Sequence, residues 1–432
     1  MVTNTKLIHH HYSPPKGFKA PQEPTYQAST VIFPSVSAMR STEWKNKSGY
    51  TYGLHGTPTT FTLEERLASI EGALHCQLVP SGLAAIALVN LSLLKSGDEV
   101  LLPSNAYGPS TALAQGELAR YGISHKVYDP LSLNDLAHKI SPQTRLVWLE
   151  APGSVTMEFP DLLALAALCK ERGVTSALDN TWGAGIAFNA FDLNGKGLGV
   201  DLTIQALTKY ASGGGDVLMG CICTRNPALD DHIKLTHMRL GLGVGAADVQ
   251  AVLRSLPSMA LRYKAQDASA RFLANALTTQ SVVAQVLHPS LKACPGHEHW
   301  QACCVRSKLK ANGHEEGGYE EGGYEEAGYE EAGYAGGGFE GNAASIFSVI
   351  FKPEFSQAQV DKFCESLQYF KIGYSWGGPM SLVVPYDLET IRPQHSQHTG
   401  LARGRLVRLC IGLEDCADLL VDLKRSIQTA FH

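Results

Sequence analysis

The chain has no apolar run of the roughly 18 residues that a membrane span needs; its longest candidates are broken by charges or glycine. Its opening stretch, Met1 to Ile8, lacks the apolar core of a secretion signal, so no export is expected. A cationic surplus is missing too. The 36 basic and 41 acidic residues give a formal charge of −5, which leaves no footprint for nucleic acid. The ten cysteines show no regular spacing, and a chain of 432 residues does not need stapling. Reduced thiols and a cytoplasmic location are therefore expected. What the chain does hold is core material. Its 44% hydrophobic content against 18% charged residues describes a globular protein large enough for two domains.

The acidity is local. Residues 315–334 read Glu-Glu-Gly-Gly-Tyr twice and then Glu-Glu-Ala-Gly-Tyr twice, so eight of the 41 acidic residues stand there with no cation among them. The rest of the chain carries 33 acidic residues against 36 basic ones. Glycine and like charges oppose packing, and residues 313–340 are expected to form a disordered acidic loop. A period of five matches no solenoid unit. An acidic or tyrosine-mediated docking role stays open on composition alone.

Along the chain, residues 1–50 are rich in Pro, Ser and His without sustained periodicity and read as an extended arm. Thr57 to Ala73 is predicted helical, with Leu63, Leu67 and Ile70 on one face and Gly72 at its end. Strand candidates follow at residues 99–102, 145–149 and 175–178. Helical stretches at 83–94, 110–121 and 161–172 alternate with them. That alternation predicts an α/β domain over residues 51–253 with a large, mainly parallel, doubly wound sheet. A long helix over 246–276 leads into a smaller C-terminal α+β domain, residues 254–432. Its strands are expected at 345–351 and 405–411, and its helices at 357–367 and 416–427.

Two residues thirty positions apart carry the chemistry. Asp179 closes one strand-like run and Lys209 another, and ligands of open α/β sheets bind at that end of the strands. An amine and a carboxylate on one rim suit pyridoxal 5′-phosphate (PLP), whose aldehyde needs a lysine and whose pyridine nitrogen needs an acid partner. A surface lysine and a helix cap would fit the pair alone equally well. Neighbouring segments add weight. Ser81, Gly82 and Leu83 stand at a strand-to-helix turn, where free N–H groups attract phosphate. Tyr107 follows another strand; it can stack on a flat ring or simply pack at a strand end. Thr208 offers a hydroxyl.

Other clusters carry less. His9-His10-His11 and His297-Glu298-His299 lack zinc spacing, and no metal site is expected. Cys221 and Cys223 are read as buried thiols facing opposite ways along a strand, not as a redox pair. The glycines between Gly241 and Gly245 follow no clear strand, which excludes a dinucleotide loop.

Six ordered segments resemble the Cys/Met-metabolism family of PLP enzymes: residues 52–59, 150–158, 179–182, 208–210, 374–378 and 407–415. The likeness runs from about residue 25 to the end, with only the repeat lacking a counterpart. It implies a fold-type-I PLP-dependent transferase-like architecture. It also implies a homo-oligomer, at least a dimer and by family habit a tetramer, whose N-terminal arm touches the neighbouring subunit. Lys209 would hold the cofactor covalently, Asp179 would pair with the pyridinium nitrogen and Tyr107 would stack on the ring. Gly82 and Leu83 would donate to the phosphate together with Thr208, and Tyr52 would reach it from the next subunit. Arg408 would bind the substrate α-carboxylate, with Ser375 and Trp376 lining the substrate side. Pro152-Gly153-Ser154, Trp182 and Trp376 resemble the members that cleave cystathionine by β-elimination, an activity of methionine biosynthesis and transsulfuration.

The chain departs from the pattern at Leu54, where the family often has arginine, at Ala206, often serine, and at His55 and Ala112, near the distal end of the substrate. A relative acting on cysteine or alkylcysteine, or by γ-elimination, stays open, as does a non-catalytic binding homologue. No nucleic-acid or membrane partner is expected.

Overall fold

The computed structural model describes residues 23–45, 47, 49–305, 341–391 and 400–431, with Ile8 and Gly17. The expected acidic loop at 313–340 lies outside the described residues, as does His9-His10-His11.

The first sheet has seven strands: β1 His75–Val79, β2 Glu99–Pro103, β3 Ser124–Tyr128, β4 Thr144–Glu150, β5 Thr175–Asp179, β6 Leu202–Ala206 and β7 Gly220–Thr224. They lie in the order β1-β7-β6-β5-β4-β2-β3. Only β7 runs against the rest, pairing antiparallel with β1 and β6. Helices cover both faces, so β2 is buried along its whole length and reads as an almost unbroken apolar run.

Helix Pro58–Glu71 shows how local chemistry places an element. Thr57 and Thr60 form a reciprocal capping box, Pro58 occupies the first turn, and Gly72 ends the helix at φ +75°. Its buried Leu63 and Leu67 pack into the sheet core. Each such side chain contributes about 1.5–3 kcal/mol of burial.

The second sheet comprises β8 Val283–Leu287, β9 Ile346–Phe351, β10 Lys371–Ile372, β11 Leu382–Tyr386 and β12 Arg405–Cys410, ordered β10-β11-β12-β9-β8. All its pairings are antiparallel except β10 with β11. Helices Gln357–Ser366 and Cys416–Phe431 cover it through aromatic packing, Phe351 lying 4.7 Å from Phe431 and 5.0 Å from Phe363 between centroids. This is the expected architecture: a large, mainly parallel sheet and a smaller α+β layer.

Helix Ala246–Leu277 ties the two layers together. Its first half, including Val249, Leu256 and Tyr263, enters the core of the first sheet, and Leu273 and Leu277 enter that of the second. The helix runs unbroken across residues 253 and 254. It does so despite Pro257, which removes one backbone donor. Just beyond it, Ser258 Oγ and Arg262 Nη2 donate to the Ser255 carbonyl at 3.0 and 3.2 Å.

Three local expectations need correction. Strand β6 ends at Ala206, so Lys209 sits in the turn beyond it rather than closing the strand. The helix expected over 110–121 begins at Gly108 and widens to a π-turn over Ala114–Leu118. Cys221 and Cys223, two residues apart on β7, share one face of the sheet, because side chains alternate with a period of two. Their sulfurs converge with that of Cys76 on the adjacent strand.

Candidate active site

The carboxyl ends of β2, β4, β5 and β6 open into a cleft of about 960 Å³. Gly82, Leu83, Tyr107, Asp179, Thr208, Lys209, Ser375, Trp376 and Arg408 all line it. Tyr52 is not among the lining residues. It stands half-exposed beside the first-sheet layer, bridged to Thr30 of the arm.

Each side chain arrives by a different local device. Ser81 caps helix Gly82–Leu93, its Oγ accepting from Ala84 N at 3.0 Å and its carbonyl from Ala85 N at 3.0 Å. Among the bonds of the described residues, Gly82 N and Leu83 N have no such acceptor, so the first two amides of the helix are free for an anion. Gly82 is required there: a Cβ would stand 2.7 Å from Ala206 Cβ. Asp179 Oδ1 accepts from Thr181 N at 3.0 Å, and Thr181 Oγ1 accepts from Ala206 N at 2.9 Å. One threonine thereby links the tips of β5 and β6. Tyr107 is anchored through its backbone, its N–H donating to Glu150 Oε2 at 2.7 Å.

Lys209 Nζ lies 3.4 Å from Thr208 Oγ1 and 5.7 Å from the centre of the Trp376 ring. Burial lowers its pKa, and the Arg408 guanidinium lowers it further, against the pull of Asp179. Burial raises the Asp179 carboxyl, opposed by the Thr181 hydrogen bonds and by Lys209. The Tyr107 hydroxyl is also raised, by burial and then by Asp179 and Glu150. Arg408 comes from β12 of the second sheet, its guanidinium 5.3 Å from the Tyr386 ring centre. Ser375 holds φ at +134°, where a non-glycine residue is strained, and this turn brings Trp376 against Lys209 and Tyr210.

Sequence reasoning missed Tyr386, Glu150 and Thr181 as supporting residues. The latter two stand inside segments already singled out. Tyr386 had no sequence signal: it flanks Arg408 because Val384 is the register partner of Arg408 and Tyr386 lies two residues further on the same face. Leu54 and His55 lie outside the cleft of their own chain, His55 stacked on Trp44 with centroids 4.5 Å apart. Ala112 does line the cleft.

A bound PLP fits what these residues present. The two free helix amides and Thr208 suit a phosphate, a buried carboxyl pushed upward suits a cationic ring nitrogen, and a lysine of lowered pKa suits an aldehyde. Fold and cleft together define a fold-type-I PLP-dependent enzyme. The profile of the Cys/Met metabolism PLP-dependent enzymes matches residues 4–308 and 336–428, and the chain belongs to that family. It is 32% identical to a cystathionine β-lyase of Bordetella avium, over 97% of this chain and 95% of that one. It is 28% identical to an L-methionine γ-lyase of Pseudomonas putida, over 99% and 97% respectively. The fold is that of cystathionine γ-lyase from Lactobacillus plantarum, with TM-score 0.81 and 23% identity over 100% of this chain and 99% of that one. Among the described residues, no helix is long and apolar enough to cross a membrane.

Proposed function

We propose that the protein is a carbon–sulfur lyase that cleaves L-cystathionine by β-elimination, giving homocysteine and, after hydrolysis by one water of the three-carbon fragment, pyruvate and ammonia. The observation that carries this reading is the convergence of Lys209, Asp179, Tyr107 and Arg408 on one cleft. The similarity to cystathionine β-lyase, together with Trp376 beside the lysine, favours β- over γ-cleavage. When bound, PLP supplies an electron sink for the charge that develops at the substrate Cα.

The chain's own residues do the rest. Gly82 N, Leu83 N and Thr208 Oγ1 would hold the phosphate, with Tyr52 completing the grip from a neighbouring subunit; Asp179 would pair with the ring nitrogen, and Tyr107 would lie against the ring. Arg408 takes the substrate α-carboxylate in its planar fork, which aims the Cα proton at Lys209. Lys209 Nζ is the base that removes that proton, and its lowered pKa leaves more of it neutral near pH 7. The same Nζ then returns a proton to the departing sulfur. Ser375 and Trp376 border the substrate.

The deciding assay compares products from cystathionine, cysteine and methionine side by side. Pyruvate and homocysteine from cystathionine are expected; 2-oxobutyrate from it would overturn the β assignment. Lys209→Ala should lose essentially all turnover and the near-visible absorbance of the bound cofactor while keeping its circular dichroism. Comparable pyruvate production by that variant would remove the lysine from the mechanism.

A further inference from the structure

We infer that Cys76, Cys221 and Cys223 form a binding site for a soft, three-coordinate metal ion of the monovalent copper class. The site is separate from the proposed active site, none of whose residues it shares. Cys76 on β1 is the register partner of Cys223 on β7, and Cys221 lies two residues along on the same face. Their three sulfurs all fall within 4.8 Å of one another. Three sulfurs placed evenly around an ion at bonds of about 2.3 Å stand about 4 Å apart, so the trio needs only a slight closure.

The donor set selects the ion. Thiolates favour soft metals, and zinc in a closed site asks for four ligands. Among the described residues no histidine, carboxylate or fourth cysteine joins the cluster. The nearby carboxylates are otherwise engaged. Glu64 accepts from Lys47 Nζ at 2.6 Å and Leu78 N at 3.1 Å. Glu71 accepts from Asn180 Nδ2 at 3.0 Å and Thr203 Oγ1 at 2.7 Å, and from Gln205 Nε2. A three-coordinate ion is the one this arrangement can satisfy.

The site also has an approach. Cys76 forms part of the wall of a second cavity, of about 800 Å³, lined by Glu64, Glu65, Asp230 and Asp231 together with Lys45, Lys47 and Lys234. Metal binding would release the thiol protons.

The test is titration of the reduced, PLP-loaded protein with Cu(I) under anaerobic conditions, in competition with a chromophoric Cu(I) chelator. One equivalent per chain should be retained, and X-ray absorption should report sulfur neighbours only, three of them at about 2.3 Å. Cys221→Ser with Cys223→Ser should weaken retention more than tenfold without changing the cofactor absorbance. A control pair, Cys303→Ser with Cys304→Ser, should bind as tightly as the parent. Copper that is not retained, that is lost in the control pair instead, or that shows nitrogen and oxygen neighbours overturns the proposal. Should the first pair fail to fold, the X-ray spectrum of the unaltered protein decides.

Discussion

Arg408 illustrates how much a single side chain depends on its surroundings. Its stem is buried in β12, only 8% of the residue is exposed, and its guanidinium rests against Tyr386. A planar fork held in this way can meet a carboxylate with two parallel hydrogen bonds, which the point charge of lysine cannot do. Arg408→Lys keeps the charge and loses the fork. A hydrogen bond to a charged group contributes about 1.5–3 kcal/mol. The KM for an amino-acid substrate should therefore rise roughly 10–100-fold, with kcat less affected and the cofactor absorbance unchanged. Steady-state kinetics over a substrate series measures this split. At this scale the candidate residues were legible, because Lys209, Asp179, Tyr107 and Arg408 all stand inside short segments of recognisable composition, and the structure brings them to one cleft. It was silent on Tyr386, whose place beside Arg408 is a matter of cross-strand register between residues more than twenty positions apart.

At the scale of elements, the start of helix Gly82–Leu93 carries the greatest demand. Its first turn lies so close to the end of β6 that Gly82 leaves room for no side chain: a Cβ there would come within 3.1 Å of Ala206 Cα. A backbone atom cannot give way as a flexible side-chain tip can. Gly82→Ala should push the helix start off β6 and misdirect the two free amides. Weaker cofactor retention, by at least about tenfold, is expected, with the far-ultraviolet spectrum little changed; dialysis against buffer and the remaining absorbance measure it. Helix and strand positions were legible from periodicity and caps. The position of Lys209 beyond β6 was less so, since the apolar run continues through Leu207 after pairing has stopped. The shared face of Cys221 and Cys223 follows from strand geometry alone. Their convergence with Cys76 does not, because the antiparallel β7 returns to pair with a strand some 145 positions earlier.

For the whole molecule, one contribution to acid stability comes from a group far from the proposed chemistry. His288 at the end of β8 is fully buried, and its Nδ1 accepts from Ser290 N at 3.2 Å, which leaves the ring neutral. Burial, then the Arg271 guanidinium, bring its pKa down to about 3. The unfolded chain takes up that proton near pH 6.5, whereas the folded chain refuses it until about pH 3. Its contribution is therefore complete above pH 6.5 and declines as the pH falls toward 3. The decline is about 1.4 kcal/mol per pH unit, or about 2 kcal/mol between pH 6.5 and 5. His288→Asn lacks this term, so its stability gap from the parent should narrow by that amount between pH 7 and 5. Urea unfolding at the two pH values tests it.

The order of strands and helices, the family, and the residue types that suit PLP were written in local patterns: capping residues, apolar periodicity and short segments of fixed composition. Those are properties of neighbouring residues and survive reading along the chain. The meeting of β12 with the tips of β5 and β6, the Ser375 turn that brings Trp376 to Lys209, and the three-thiol cluster between β1 and β7 arise from long-range packing. Folding alone brings such distant residues together, since sheet register and the burial of two cores through one shared helix are not encoded in any single stretch.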